Sequence, residues 1–240
     1  MIRTLLMLGF WLLAAPLAAL IGIPWTLLTG NVELLYWLGT HTAWAGVRLA
    51  GIRVQVLGFD RLDPAAAYIF MSNHVSNLDP PILVPLIPRR TSVLVKKELF
   101  RVPILGRAMR LASLVPVDRS NRDAAIASLR AAADVLARGI PMTIFVEGTR
   151  SFDGRLLPFK KGPFYLAMES GAPVVPVTIL GTHHILPKRS FSIRSGEATV
   201  VFHPPLDPKQ FSDRDALLDA VRASIESALP VEYRNATPGA

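Results

Sequence analysis

From Thr4 to Val32 the chain carries no charged residue, and Arg3 and Glu33 bracket that run. A second apolar stretch follows from Leu34 to Val47, and all four tryptophans (Trp11, Trp25, Trp37 and Trp44) fall inside these two stretches. Tryptophan favours the lipid–water boundary, because its ring is apolar and its N–H wants a partner. A secretory signal would account for Arg3 and the small residues Ala14-Ala15-Pro16-Leu17-Ala18-Ala19, but the apolar sequence continues well past any such cleavage site. A single spanning helix needs about 20 apolar residues, and Pro16 and Pro24 interrupt that pattern. The pattern predicts a membrane-embedded helical hairpin over residues 1–47, spanning or entering one leaflet, with a break near Pro24 to Asn31.

After Gly51 the period changes. Short apolar runs at Ile52–Val56, Tyr68–Met71, Ser92–Val95, Leu114–Val117, Met142–Val146, Val174–Leu180 and Ala198–Phe202 predict strands. Helical stretches are predicted between them at 79–87, 103–112, 121–138 and 162–170, with a last one at 212–228. The clearest is 121–138, where Asn121 offers a cap, Ile126, Leu129, Ala133 and Leu136 share a face, and Gly139 ends the pattern. Strands alternating with helices predict an α/β fold over residues 48–230, with a mostly parallel central sheet flanked by helices. Residues 231–240 read as a disordered tail.

Composition sharpens this picture. Of the 240 residues 51% are apolar and 18% charged, and the net charge is +8. Residues 1–47 hold one Arg and one Glu, so the whole excess lies on the α/β part. Basic surface attracts anionic headgroups or nucleic acid, and an apolar anchor on the same chain favours lipid. Nucleic acid is disfavoured because the basic residues are not interleaved with aromatics. The positive-inside tendency puts the α/β domain on the cytoplasmic face, which predicts a cell inner-membrane location. There is no cysteine, which excludes disulfides and thiol nucleophiles.

Candidate chemistry clusters just past the predicted strands. In Ser72-Asn73-His74-Val75-Ser76-Asn77-Leu78-Asp79 a histidine sits five positions before an aspartate, in a polar loop after an apolar strand. An imidazole can take a proton from a hydroxyl near neutral pH, and a carboxylate on its other nitrogen would fix the tautomer. Leu78-Asp79-Pro80-Pro81 reads as a helix start that lets Asp79 fold back toward His74. Alone, this spacing is common in a chain of such composition. Phe145-Val146-Glu147-Gly148-Thr149-Arg150-Ser151 repeats the logic: strand, glycine turn, and an Arg that offers a fork for phosphate oxygens. Lys160 and Lys161 precede a further helix start. Asp118-Arg119 follows the fourth strand, and Lys96-Lys97 follows the third; for both a solvated charge group is the simpler reading. No Gly-x-Ser-x-Gly, P-loop, Gly-x-Gly-x-x-Gly or His-Glu-x-x-His pattern occurs. A base with no enzyme nucleophile beside it points to a hydroxyl supplied by the substrate.

Taken in order, these blocks resemble the glycerolipid acyltransferase superfamily, and most of all the 1-acyl-sn-glycerol-3-phosphate acyltransferases. Asn73-His74 through Asp79 is similar to the family's catalytic block. Lys97-Glu98-Leu99 with Pro103, Gly106 and Val115 through Arg119 resembles its second region, with Pro116 standing where a Phe or Ile is common. Phe145 through Ser151 resembles its acceptor-binding block, and Val174-Val175-Pro176-Val177 its fourth.

The resemblance implies transfer of a fatty acyl group from acyl-CoA or acyl carrier protein to the free hydroxyl of lysophosphatidic acid, forming phosphatidic acid in phospholipid biosynthesis. It implies His74 and Asp79 as catalytic residues. Glu147, Gly148, Thr149 and Arg150 would bind the acceptor, with Arg119 and Lys160 helping at its phosphate and Lys96 and Lys97 as basic residues of the second region. Glu147 is expected either to hydrogen-bond the glycerol or to fix Arg150. The implied mechanism needs no metal and no cofactor beyond the acyl thioester co-substrate. Another lyso-lipid acceptor, a thioester hydrolase using water, and a non-enzymatic membrane lipid-binding module are the alternatives.

Overall fold

The computed structural model describes residues 2–118 and 122–234. Seven strands form one sheet: β1 (Ile52–Leu57), β2 (Ile69–Ser72), β3 (Ser92–Lys96), β4 (Val115–Val117), β5 (Met142–Phe145), β6 (Val174–Leu180) and β7 (Gly196–Phe202). Their order is β1-β7-β6-β2-β5-β3-β4. The five strands from β6 to β4 run parallel; β7 is antiparallel to β6, and β1 is parallel to β7. The sheet is therefore mostly parallel, as the alternating pattern predicts.

β2 lies at the centre, with Ser72 level with Phe145 of β5 on one side and Val177 of β6 on the other. All four of its residues are buried, because helices cover both sheet faces. Phe70 points into one core with Val175, Val177 and Phe202. Ile69 and Met71 point into the other with Ile144 and Val174, following the two-residue period of a strand. Helices α1 (Ile2–Thr29), α2 (Glu33–Leu49) and α3 (Asp79–Leu83) contribute Met7, Val47 and Ile82 to the first core. Helices α5 (Arg122–Ala137), α6 (Gly162–Ser170) and α8 (Arg214–Ser227) contribute Ala132, Phe164 and Leu217 to the second. Two shorter helices, α4 (Leu105–Leu111) and α7 (Thr182–Ile185), follow β3 and β6.

The N-terminal hairpin has its turn at residues 30–32, overlapping the end of the expected break. The prolines do not interrupt it: α1 runs through both Pro16 and Pro24. Each removes one intrahelical bond, but packing on α2 holds the axis across them. Gly22 lies directly on Leu35, and Gly46 of α2 makes room for Trp11, whose indole N–H donates to the Thr42 carbonyl at 3.1 Å. Arg3 donates to the Ala50 carbonyl at 3.0 Å and the Thr4 hydroxyl accepts from Ile193 N–H at 2.8 Å, so the start of α1 is fastened to the α/β domain. The other side of α1 presents an apolar stripe that includes Leu5, Leu12, Leu13, Leu17, Leu20 and Leu28, each at least half exposed.

The tail departs from expectation. Val231–Tyr233 forms a 3-10 turn, and the Tyr233 carbonyl accepts Leu156 N–H at 2.9 Å, so this stretch belongs to the folded domain. Residues 235–240 and the expected cap Asn121 lie outside the described residues.

Candidate active site

The loop after β2 turns back on itself. Asp79 opens α3, with Pro80 and Pro81 supplying the fixed φ of a first turn. Its carboxylate is fully buried and accepts four donors. Oδ2 takes the Val75 and Ser76 amides at 2.7 and 2.8 Å and Nδ1 of His74 at 2.7 Å, while Oδ1 takes the Thr182 hydroxyl at 2.6 Å. An oxygen already receiving two N–H groups is an acceptor, so Nδ1 of His74 carries the proton and Nε2 keeps its lone pair. No described residue hydrogen-bonds that Nε2. The ring lies on Phe145 at 4.3 Å between centroids, tilted by 28°, which fixes its plane.

Neighbouring strands hold this loop on both sides. Toward β6, the Asn73 amide donates to the Ile179 carbonyl at 2.9 Å and accepts its N–H at 2.8 Å, while the Ser76 hydroxyl donates to the Leu186 carbonyl at 2.9 Å. Toward β5, Ser151 N–H donates to the His74 carbonyl at 2.8 Å and the His74 amide donates to Oε1 of Glu147 at 3.0 Å.

Glu147 is therefore not in the role expected of it. It is 1% exposed, and its oxygens accept the backbone amides of His74 and Leu157, the latter at 3.3 Å. It reaches neither Arg150 nor open acceptor space, and instead ties three segments together. Burial pushes its carboxyl up to about 8; the two amides pull the other way, and the nearby Asp79 charge adds to the rise.

Past Glu147 the chain reaches the surface. Gly148 has φ +69, and a Cβ there would sit 3.1 Å from Cγ of Lys160, so the lysine stem lies across the glycine. Thr149 is exposed and Arg150 half-buried, and among the described residues no carboxylate pairs with Arg150 or Lys160. Lys188 donates to the Arg150 carbonyl at 2.6 Å, which brings a third cation to this rim. Neither Lys188 nor Thr182 stands out in the sequence; each lies more than thirty-five residues from its partner. The one available signal was position, because both follow β6, and the carboxyl ends of parallel strands are where open α/β sheets place sites.

The second-region residues are already engaged. Lys96 pairs with Glu98 at 3.6 Å on the surface, and Lys97 pairs with Asp118. Arg119 lies outside the described residues. His74, Asp79, Glu147 and Arg150 thus come together at the ends of β2 and β5, while the Lys97–Asp118 pair sits further along the same edge, past β3 and β4.

This arrangement has known relatives. Residues 53–180 match the family model described as Acyltransferase. The chain is 38% identical over 188 residues to a 1-acyl-sn-glycerol-3-phosphate acyltransferase of Limnanthes alba, covering 77% of this chain and 65% of that protein. It is 32% identical to the human 1-acyl-sn-glycerol-3-phosphate acyltransferase alpha, over 81% of this chain and 69% of that one. The chain thus spans just under two thirds of the plant relative and slightly more of the human one. The fold matches the crystal structure of the 1-acyl-sn-glycerophosphate (LPA) acyltransferase PlsC from Thermotoga maritima with a TM-score of 0.77, at 28% identity and over 92% of each chain. A family model matched over residues 53–180, and a sheet shared with that structure over 92% of each chain, settle the kinship: this chain belongs to the acyltransferase family.

Proposed function

We propose that this chain is a 1-acylglycerol-3-phosphate O-acyltransferase, moving a fatty acyl group from acyl-CoA or acyl carrier protein to lysophosphatidic acid. The observation that carries the reading is the His74–Asp79 pair, with Nδ1 locked onto a buried carboxylate and no partner on Nε2 among the described residues.

The chemistry follows from that geometry. Nε2 of His74 takes the proton of the acceptor hydroxyl as its oxygen attacks the thioester carbonyl. The tetrahedral intermediate collapses, the C–S bond breaks, and the imidazolium returns its proton to the leaving thiolate. Asp79 holds the ring and stabilises its cation. The acceptor phosphate, carrying about −1.5 to −2 charges, is matched by Arg150 and Lys160, which have no carboxylate partner among the described residues, with Lys188 as an added cation. Glu147 acts as a positioning residue, through the His74 amide.

The exposed stripe of α1 supports anchoring in a membrane, since an unpartnered apolar face of this extent is an association liability in water. Residues 1–47 would anchor and residues 48–230 would catalyse. With the basic excess on the catalytic part, the cytoplasmic face of the inner membrane is the proposed location.

The test is thiol release from acyl-CoA and acyl carrier protein thioesters, with and without lysophosphatidic acid. The expected result is acceptor-dependent release with phosphatidic acid formed, reduced on the order of 100- to 10,000-fold in His74→Ala. Release independent of acceptor would instead identify a hydrolase, and a His74→Ala enzyme keeping more than about a tenth of turnover would remove the base assignment.

A further inference from the structure

The segment after β3 builds a second apolar protrusion, separate in sequence from α1. Leu99, Val102, Ile104 and Leu105 are each more than two fifths exposed, and Ile104 is 54% exposed. They are not loosely displayed. Phe100 is buried beneath them, and Gly106 packs so closely on the Phe100 carbonyl that a Cβ there would come within 2.2 Å of it. Arg110 donates to the same carbonyl at 3.0 Å, and Gly106 N–H to the Val102 carbonyl at 2.8 Å.

The tip is strained. Ile104 has φ 65 and ψ −62, and Leu105 N–H donates across it to the Pro103 carbonyl at 2.6 Å. This is a γ-turn with a positive central φ, a rare form, and a β-branched residue is among the least suited to it. Such strain persists only where the surroundings impose it, and it collects at functional segments. Here it turns a large aliphatic side chain outward, against what water favours.

Charge identifies the partner. From Leu99 to Val117 there is no acidic residue, and Arg101, Arg107 and Arg110 give the stretch a charge of +3. Arg110 is used on Phe100; Arg101 and Arg107 are exposed, with no carboxylate partner among the described residues. An aliphatic tip with unpaired arginines beside it suits an anionic bilayer, where the tip enters the acyl region and the arginines meet headgroups. α4 also contacts α1, so the helix that follows the tip lies against the helix that carries the stripe.

We infer that the protrusion formed by Leu99, Val102, Ile104 and Leu105, with Arg101 and Arg107, is a second bilayer contact that inserts beside α1 and turns the carboxyl edge of the sheet, where His74 sits, toward an anionic lipid surface. This rests on the membrane reading of α1 and adds a fixed orientation to it: a helix alone can roll about its axis, and two contacts at different places cannot.

The chain has no cysteine, so single-cysteine probes are unambiguous. An environment-sensitive fluorophore is placed on Ile104→Cys, on Val102→Cys (whose backbone is ordinary), on Leu12→Cys in α1, and on the exposed Ala223→Cys of α8 across the sheet. The full-length protein is reconstituted into phosphatidylcholine nanodiscs with or without phosphatidylglycerol, and quenching by brominated lipid is read. The expected result is quenching at positions 12, 102 and 104 but not 223, with the signal at 102 and 104 rising when phosphatidylglycerol is present. That rise should be lost in Arg101→Gln/Arg107→Gln. Quenching at position 12 with none at 102 and 104 overturns the second contact and leaves the anchor standing. No quenching at any site removes the anchor, and this inference with it. Quenching at 102 and 104 that ignores both phosphatidylglycerol and the arginine pair overturns the anionic partner.

Discussion

Glu147 makes a prediction whose sign and size both follow from burial. Its folded pKa, about 8, stands above the ordinary value of 4.5. The native state therefore holds the proton more tightly than the unfolded chain does. Stability is fully present below pH 4.5, is lost as pH rises, and is gone above about pH 8. Integrating the linkage relation between these two values gives a loss of roughly 2.7 kcal/mol from pH 6 to pH 9. For a domain of this size that is a fall in Tm of roughly 5–10 °C.

Glu147→Gln isolates the effect. The amide oxygen still accepts the His74 N–H, while the amide NH2 faces the Leu157 N–H at a cost of about 1–3 kcal/mol that does not vary with pH. His183 and His203 also titrate, and burial pushes both below the usual histidine value. Their contribution has the opposite sign, growing as pH rises toward 6.5, and it is common to both proteins. Thermal melts in detergent at pH 6 and pH 9 then give a double difference. The wild type should lose roughly 2.7 kcal/mol more than the variant. Parallel losses, agreeing within about 1 kcal/mol, would mean that Glu147 is already ionised at pH 6 and that its two amide donors outweigh its burial.

The remaining expectations concern the neighbours of His74. Thr182→Val removes the donor on Oδ1 of Asp79, a buried charge-assisted bond of about 1.5–3 kcal/mol, so both Tm and kcat should fall and Thr182→Ser should restore them; a valine variant equal to wild type in both would show that Asp79 does not depend on this bond. Arg150→Ala should raise KM for lysophosphatidic acid roughly 10- to 100-fold with kcat little changed, and an unaltered KM and kcat/KM would remove Arg150 from the phosphate site. Gly148→Ala places a Cβ at φ +69 and 3.1 Å from the Lys160 stem, so it should cost about 1–2 kcal/mol in thermal melts; an alanine variant as stable as the wild type would contradict the close approach.

The seven strands were legible to within two residues, because the central strands β2, β5 and β6, buried on both faces, read as unbroken apolar runs, while the half-buried outer strands β1 and β7 keep a two-residue alternation. The short helical turns at Lys97–Arg101 and Thr182–Ile185 were not legible, since four or five residues are too few to show a period. The His74–Asp79 pair was legible for a local reason: the partners are five residues apart and the prolines after Asp79 force the turn. Arg150 falls after the glycine turn, as its block suggested, and its phosphate role remains part of the proposal. Thr182 and Lys188 were not legible, since their partners are remote in sequence. Glu147 was found in the right block and given the wrong task, because a sequence does not show whether a carboxylate points into a pocket or into the protein. The start of the tail, Val231–Tyr233, was misread because Tyr233 is held to Leu156 by a backbone bond that composition does not encode.

The β6 contacts also give the apolar fourth block a structural task. The loop from Asn73 to Asp79 makes its own clamp, but a self-contained loop would be free to swing at the end of β2. Four hydrogen bonds prevent this by joining it to β6 and the turn after it: two between Asn73 and Ile179, one from Ser76 to the Leu186 carbonyl, and one from Thr182 to Asp79. The three neutral bonds are worth about 1 kcal/mol net each and the Thr182–Asp79 bond about 1.5–3 kcal/mol, and losing any one would strand a buried polar partner at greater cost, so the four act together. The buried run Val174–Ile179 supplies the rigid half of this joint, since a strand packed on both faces has no freedom to follow the loop. Catalysis by a general base needs Nε2 held to a fraction of an ångström against a hydroxyl that arrives from outside. On the proposed reading, β6 would supply that constancy to the His74 loop at the end of β2.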